Sequence, residues 1–194
     1  MAIQHDVSAE SIPKVSARER ILLTAHDLFY RDGIRATGVD RIIATSRVTK
    51  VTFYRDYPSK NNLIIAFLDY RHQLWMEWFQ LALLRHGSSV EAIVPALQEW
   101  FADPGYRGCA FINTLGEMGA SIPETANQFR RHKAAMRELI ENLLPAGLEQ
   151  TDTAEAIALG IDGAVVRAEC GEWHTALKGL ALLIESLLFT IPTE

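Results

Sequence analysis

A chain of 194 residues, 48% hydrophobic and 22% charged, has the composition of one or two folded domains, which excludes a disordered or fibrous protein. Two cysteines cannot build a disulfide framework, and the most apolar stretch is broken by Lys178 and Glu185, so a reducing, cytoplasmic setting without a membrane span is expected. The net charge of −5 argues against a polyanion partner for the chain as a whole, though not for each part of it.

The start, "MAIQHDVSAESIPK", has no basic region followed by an apolar run, so residues 1–14 read as a flexible arm rather than a signal peptide. Ser16 with Glu19 three positions on makes a capping box. Ile21, Ala25, Leu28 and Phe29 follow at helical spacing, and Gly33 supplies the positive-φ residue that ends the helix. Thr37 is the expected cap of a short second helix with Val39, Ile42 and Ile43 on its apolar face.

The next segment, "RVTKVTFYRDYP", is rich in β-branched and aromatic residues and by propensity alone reads as a strand. Its punctuation says otherwise. With Thr49 as N-cap, Val48 and Phe53 take the hydrophobic-staple positions, and Pro58 forces the chain out of the helix. Propensity differences amount to tenths of a kcal/mol per residue, whereas burying Val and Phe is worth roughly 1.5–3 kcal/mol each. A short helix packed on its two predecessors is therefore expected, and helix, tight turn and second short helix make a helix-turn-helix. Charge follows the same division. Lys14 to Lys60 carries ten basic and five acidic residues, a net +5, while Asn61 to Glu194 carries nine basic and seventeen acidic, a net −8. A basic head on an acidic body suits a polyanion-binding module joined to a regulatory one; it also suits clustering on a solvated face.

Beyond Ser59, helical patterns run to about Arg85, then from Val90 to Phe101, from about Cys109 to Met118, from after a break at Gly119 to Pro123 to Leu144, from Asp152 (capping box with Glu155) to about Glu169, and from Trp173 to Phe189. Leu177, Leu180, Ala181, Ile184, Leu187 and Leu188 form an apolar stripe on the last helix, and Gly160, Gly163, Ala164 and Ala168 on its predecessor permit close approach. The stripe suits either the chain's own core or a two-fold partner.

Ile21 to Leu63 resembles the DNA-binding domain of the TetR family of transcriptional regulators. The resemblance rests on Leu28-Phe29 and Gly33, Thr37, Val39 and Ile42, Val48-Thr49-Lys50, Thr52-Phe53-Tyr54-Arg55, Tyr57-Pro58 and Ser59-Lys60 with Leu63. "RGCAFINTLGEMGASIP", Arg107 to Pro123, is similar to an effector-domain segment that recurs in one subset of that family. The resemblance implies an all-α fold of about nine helices. Residues 15–60 would be a three-helix helix-turn-helix DNA-binding domain, and 61–194 a helical ligand-binding and dimerisation domain that pairs through about 152–169 and 173–189. It implies operator DNA and a small effector as partners, and most members of the family repress. Arg47 and Val51 stand where the family usually has glycine, and Asp56 repels phosphate.

Thr37 and Thr49, at helix starts, are expected to meet phosphate oxygens, with Arg47 beside them. Tyr54 and Lys60 match family phosphate contacts, and Lys50, Val51, Thr52 and Arg55 are the candidates for reading base edges. Trp75, Trp78, Phe79, Trp100, Phe111, Met118 and Phe129 are the candidates to line a cavity for an apolar or aromatic effector. Cys109 reads as a small buried hydrophobe rather than a thiol sensor. The six histidines fall in no metal-ligand spacing, no cofactor motif is present, and no nucleophile elbow or phosphate loop gives catalysis a foothold. The expected function is a ligand-responsive repressor. The alternative is an all-helical protein-interaction module without specific DNA binding.

Overall fold

Pro58 and the capping threonines and serines punctuate an all-helical chain. The computed structural model describes residues 15–145 and 150–189, and within them there are nine α-helices and no strand. They are α1 (Ala17–Asp32), α2 (Val39–Ser46), α3 (Lys50–Asp56), α4 (Lys60–Arg85), α5 (Ile93–Phe101), α6 (Ala110–Met118), α7 (Glu124–Glu141), α8 (Gln150–Glu169) and α9 (Trp173–Phe189). The N-terminal arm expected over residues 1–14 lies outside the described residues.

Most boundaries follow from caps. Ser16 Oγ accepts from the Glu19 amide at 3.1 Å, and Ser59 Oγ accepts from the Asn62 amide at 3.1 Å, opening α1 and α4. Gly33 ends α1 at φ 87°, with its amide on the Phe29 carbonyl. Beyond the first four helices, two starts differ from expectation. Val90–Ala92 is a 3-10 turn and the α-helix begins at Ile93; Pro95 has no amide to donate, so it is tolerated only in a first turn. α8 begins at Gln150, so Asp152 is not its cap but sits inside its first turn, where the helix dipole still favours a carboxylate.

The described residues pack as two compact units, 15–72 with 110–128, and 73–109 with 129–145 and 150–189. The first is larger than residues 15–60. Three short helices cannot close a core, and Leu63, Ile64 and Phe67 of α4 complete it, Phe67 standing edge-on to Phe29 at 5.5 Å. In the second unit α8 and α9 pack along each other. A Cβ at Gly160 would come within 2.5 Å of Leu183 Cδ2, so the small residue is needed for that contact. Leu177, Leu180 and Ile184 of the expected stripe are buried within the chain itself. The apolar side chains left in solvent are others: Leu159 and Val166 on α8, Leu182 and Phe189 on α9.

Candidate nucleic-acid interface

α3 is seven residues long, too short to hold without support. Its N-terminus is closed by Thr49, whose Oγ1 accepts from the Thr52 amide at 3.1 Å and lies 2.9 Å from the Thr52 hydroxyl. Phe53 is fully buried. At the other end Arg18 of α1 donates to the Asp56 carbonyl and stacks on the Tyr57 ring at 4.5 Å. The turn before α3 is tied down as well. Arg20 Nε donates to the Ser46 carbonyl at 3.3 Å, and Arg47 adopts the left-handed region at φ 54°, ψ 46°. An L-residue there costs roughly 1–2 kcal/mol that glycine would not. Its exposed side chain carries a charge to the rim of the turn.

This bracing leaves Lys50, Val51, Tyr54 and Arg55 exposed on one small helix, with Thr52 half-buried beside them. Val51 is 80% exposed, and Tyr54 rests edge-on against Phe53 at 5.2 Å. Arg55 is not idle: its Nε and Nη2 donate to the two Asp56 carboxylate oxygens at 3.0 and 3.2 Å. Those hydrogen bonds hold the Asp56 carboxyl below its ordinary range.

Two of the expected contacts are placed otherwise. Thr37 is completely buried and is not the cap of α2; Gly38 is. The Thr37 hydroxyl donates to the Gly33 carbonyl at 2.8 Å and its amide to the Ile34 carbonyl at 3.3 Å, so neither is presented to a phosphate. Lys60 turns inward: its Nζ donates to the Ile34 carbonyl, and burial lowers its pKa, with nearby Glu117 opposing the shift. Sequence reasoning missed Glu117 altogether. Its carboxylate accepts from the Ile34 and Arg35 amides at 3.4 and 2.9 Å, and its backbone carbonyl accepts from Arg35 Nε at 2.8 Å. More than 80 residues separate the partners, and no local pattern marks such a contact. Arg18 and Arg20, two apart before the first apolar residues, were visible as charges but not as braces.

The expected effector residues do not all come together. Trp75, Trp78, Phe79 and Trp100 form one buried cluster in the second unit, Trp75 lying 4.7 Å from Phe79 and 5.7 Å from Trp100 between ring centroids. Phe129 belongs to the same unit, half-buried under the Lys133 ammonium at 5.7 Å. Phe111 and Met118 belong to the first unit. Phe111 is buried edge-on to His72 at 6.5 Å. Cys109 is buried, with its Sγ 3.9 Å from Lys133 Nζ. Among the described residues no group of three or more His, Cys, Asp or Glu is placed to hold a metal ion, and no helix is long and apolar enough to cross a membrane.

A left-handed turn between two short helices, the second braced at both ends with Lys50, Val51, Tyr54 and Arg55 exposed, defines a helix-turn-helix protein. Comparison with known proteins agrees. Residues 21–67 match the family of bacterial regulatory proteins described as tetR. An uncharacterized HTH-type transcriptional regulator from the lacX 3′ region of Lactococcus lactis subsp. lactis is 24% identical over 110 residues. That alignment takes in 54% of this chain and 56% of the relative, so the chain spans little more than half of the curated relative's length.

Solved structures share the fold across nearly the whole chain. A TetR-family transcriptional regulator from Streptomyces coelicolor superposes with a TM-score of 0.76 at 24% identity, covering 89% of this chain and 94% of that one. One from Cytophaga hutchinsonii gives 0.77 at 14% identity, covering 95% and 100%. Residues 21–67 are thus similar to the helix-turn-helix segment of the tetR family, and the chain shares its fold with solved TetR-family regulators.

Proposed function

We propose that the chain is a sequence-specific, ligand-responsive transcriptional regulator that acts as a two-fold dimer on a palindromic operator. The observation that carries this reading is the outer row of α3, above all Val51 at 80% exposure beside Lys50 and Tyr54. Leaving a valine in water forgoes roughly 1.5–3 kcal/mol of burial. On a helix of major-groove width its methyls suit the C5-methyl of thymine, with Lys50, Thr52 and Arg55 placed for neighbouring base edges. Tyr54 and Arg47 serve as phosphate partners, and the capped start of α3 at Thr49 faces the same backbone. That the matched relatives are described as transcriptional regulators supports the reading.

Residues 15–60 then act as the DNA-binding part and 61–194 as the effector-binding and dimerisation part. Leu159, Val166, Leu182 and Phe189 supply apolar surface for a partner copy. The mode is repression. A small apolar or aromatic effector that binds better when the two heads are wrongly spaced for adjacent major grooves, about 34–36 Å apart, shifts the population and releases DNA.

Selection of bound duplexes from a random pool tests this. Enrichment of an inverted repeat with half-sites one helical turn apart is expected. A pool that leaves the column with its input composition contradicts it, and binding to an acidic protein in that case would favour an interaction module.

A further inference from the structure

Trp75 and Trp78, one turn apart on α4, are each 6% exposed. Their indole N–H groups meet neither solvent nor any acceptor among the described residues. An indole nitrogen is a donor only, and native interiors leave few such groups unpaired, because each forgoes the hydrogen bond it made with water. The walls around the two donors are flat rings. Phe79 stacks on Trp75 at 4.7 Å, Trp100 lies 5.7 Å from Trp75 and 6.1 Å from Trp78, and His132 stands edge-on to Trp75 at 5.1 Å. Two donors without acceptors inside a ring cluster are complementary to a flat molecule that brings the acceptor with it.

The charge of that acceptor can be argued too. The rings around the two indoles are buried. A carboxylate would lose its hydration there, whereas a neutral oxygen would lose far less. We infer that the effector is a flat, apolar molecule carrying a neutral acceptor oxygen, a carbonyl or ether, received by the indole N–H groups of Trp75 and Trp78. The inference rests on the effector reading above and narrows it from any apolar compound to one defined class.

The test uses pairs of compounds with the same shape that differ in one oxygen, acetylnaphthalene against ethylnaphthalene and tetralone against tetralin. Each is titrated by calorimetry into the full-length protein. The ketone of a pair is expected to bind roughly tenfold or more tightly than its hydrocarbon. That preference should collapse to about one in Trp75→Phe/Trp78→Phe, which keeps the rings and removes both donors. Equal binding within every pair overturns the inference but leaves an apolar effector standing. A preference that survives the double substitution overturns the assignment to these two residues. Binding by no compound at all overturns the inference and the effector reading together, while duplex selection judges the DNA-binding reading separately.

Should the double variant misfold, the wild-type protein answers by the indole resonances of its four tryptophans in a nitrogen–proton spectrum. The ketone is expected to move two of them downfield while the hydrocarbon does not. Identical spectra with both compounds contradict the proposal.

Discussion

At the scale of single residues, the candidate interface sets its charges against one another. Arg55 is clasped by Asp56, so the guanidinium proposed to read bases is engaged by its own neighbour. Asp56 also carries a negative charge toward the surface assigned to phosphates. Asp56→Asn should remove that repulsion and release Arg55 together. DNA affinity is then expected to rise several-fold at moderate salt, with a salt slope steeper by about one unit if Arg55 takes up a phosphate. Anisotropy titrations across a salt series check this, and weaker binding would place Asp56 in a direct contact instead. Thr37 teaches the opposite lesson. A threonine before an apolar run is a fair cap, yet where its hydroxyl goes was decided by the Gly33 carbonyl and by complete burial, neither of which its neighbours in sequence reveal.

At the scale of elements, caps and burial outweighed propensity. α3 looks like a strand by composition and is a helix because Thr49 caps it and Phe53 is buried. Its boundaries were legible because those signals are local; the braces from Arg18, Arg20 and Glu117 were not, because they come from other helices. The expected effector residues divided between units for a related reason. Hydrophobic spacing tells which side chains bury, not which of them bury together.

Two predictions belong here. Arg47→Gly should leave the protein more stable than Arg47→Ala by roughly 1 kcal/mol, since only glycine takes φ 54° without steric cost. Denaturant titration of both variants reads the difference, and equal stability would mean the turn is not left-handed. The second concerns Asp32, which joins α1 to α2 by pairing with Arg31 and Arg41, both at 2.8 Å. Hydrogen bonding from Arg31, with smaller contributions from Arg41, lowers its pKa from 3.8 to about 2. A folded-state pKa below the unfolded one gives a contribution that is present above the unfolded value and lost as pH falls through the folded one. Asp32→Asn should therefore flatten the loss of thermal stability between pH 4 and pH 2, and an unchanged acid limb would show the pair to be inert.

At the scale of the whole molecule, a basic head and an acidic body coexist under a net charge of −5, so the total hides the part proposed to meet DNA. The sequence marked the last two helices as apolar but could not say which side faced outward. Half of the stripe on α9, Leu177, Leu180 and Ile184, is the chain's own core, and Leu159, Val166, Leu182 and Phe189 are the exposed apolar residues proposed for a partner. Leu182→Glu should raise the dimer dissociation constant by about tenfold or more and weaken operator binding in parallel. Sedimentation analysis checks the first effect, and an unaltered dimer would move the interface elsewhere. α3 is the element proposed to read sequence. The most direct measurement repeats duplex selection with Lys50→Ala beside the wild type. The account predicts that the same inverted repeat returns with the base preference relaxed at one symmetric pair of positions. An identical preferred sequence at every position, with affinity unchanged, would contradict it.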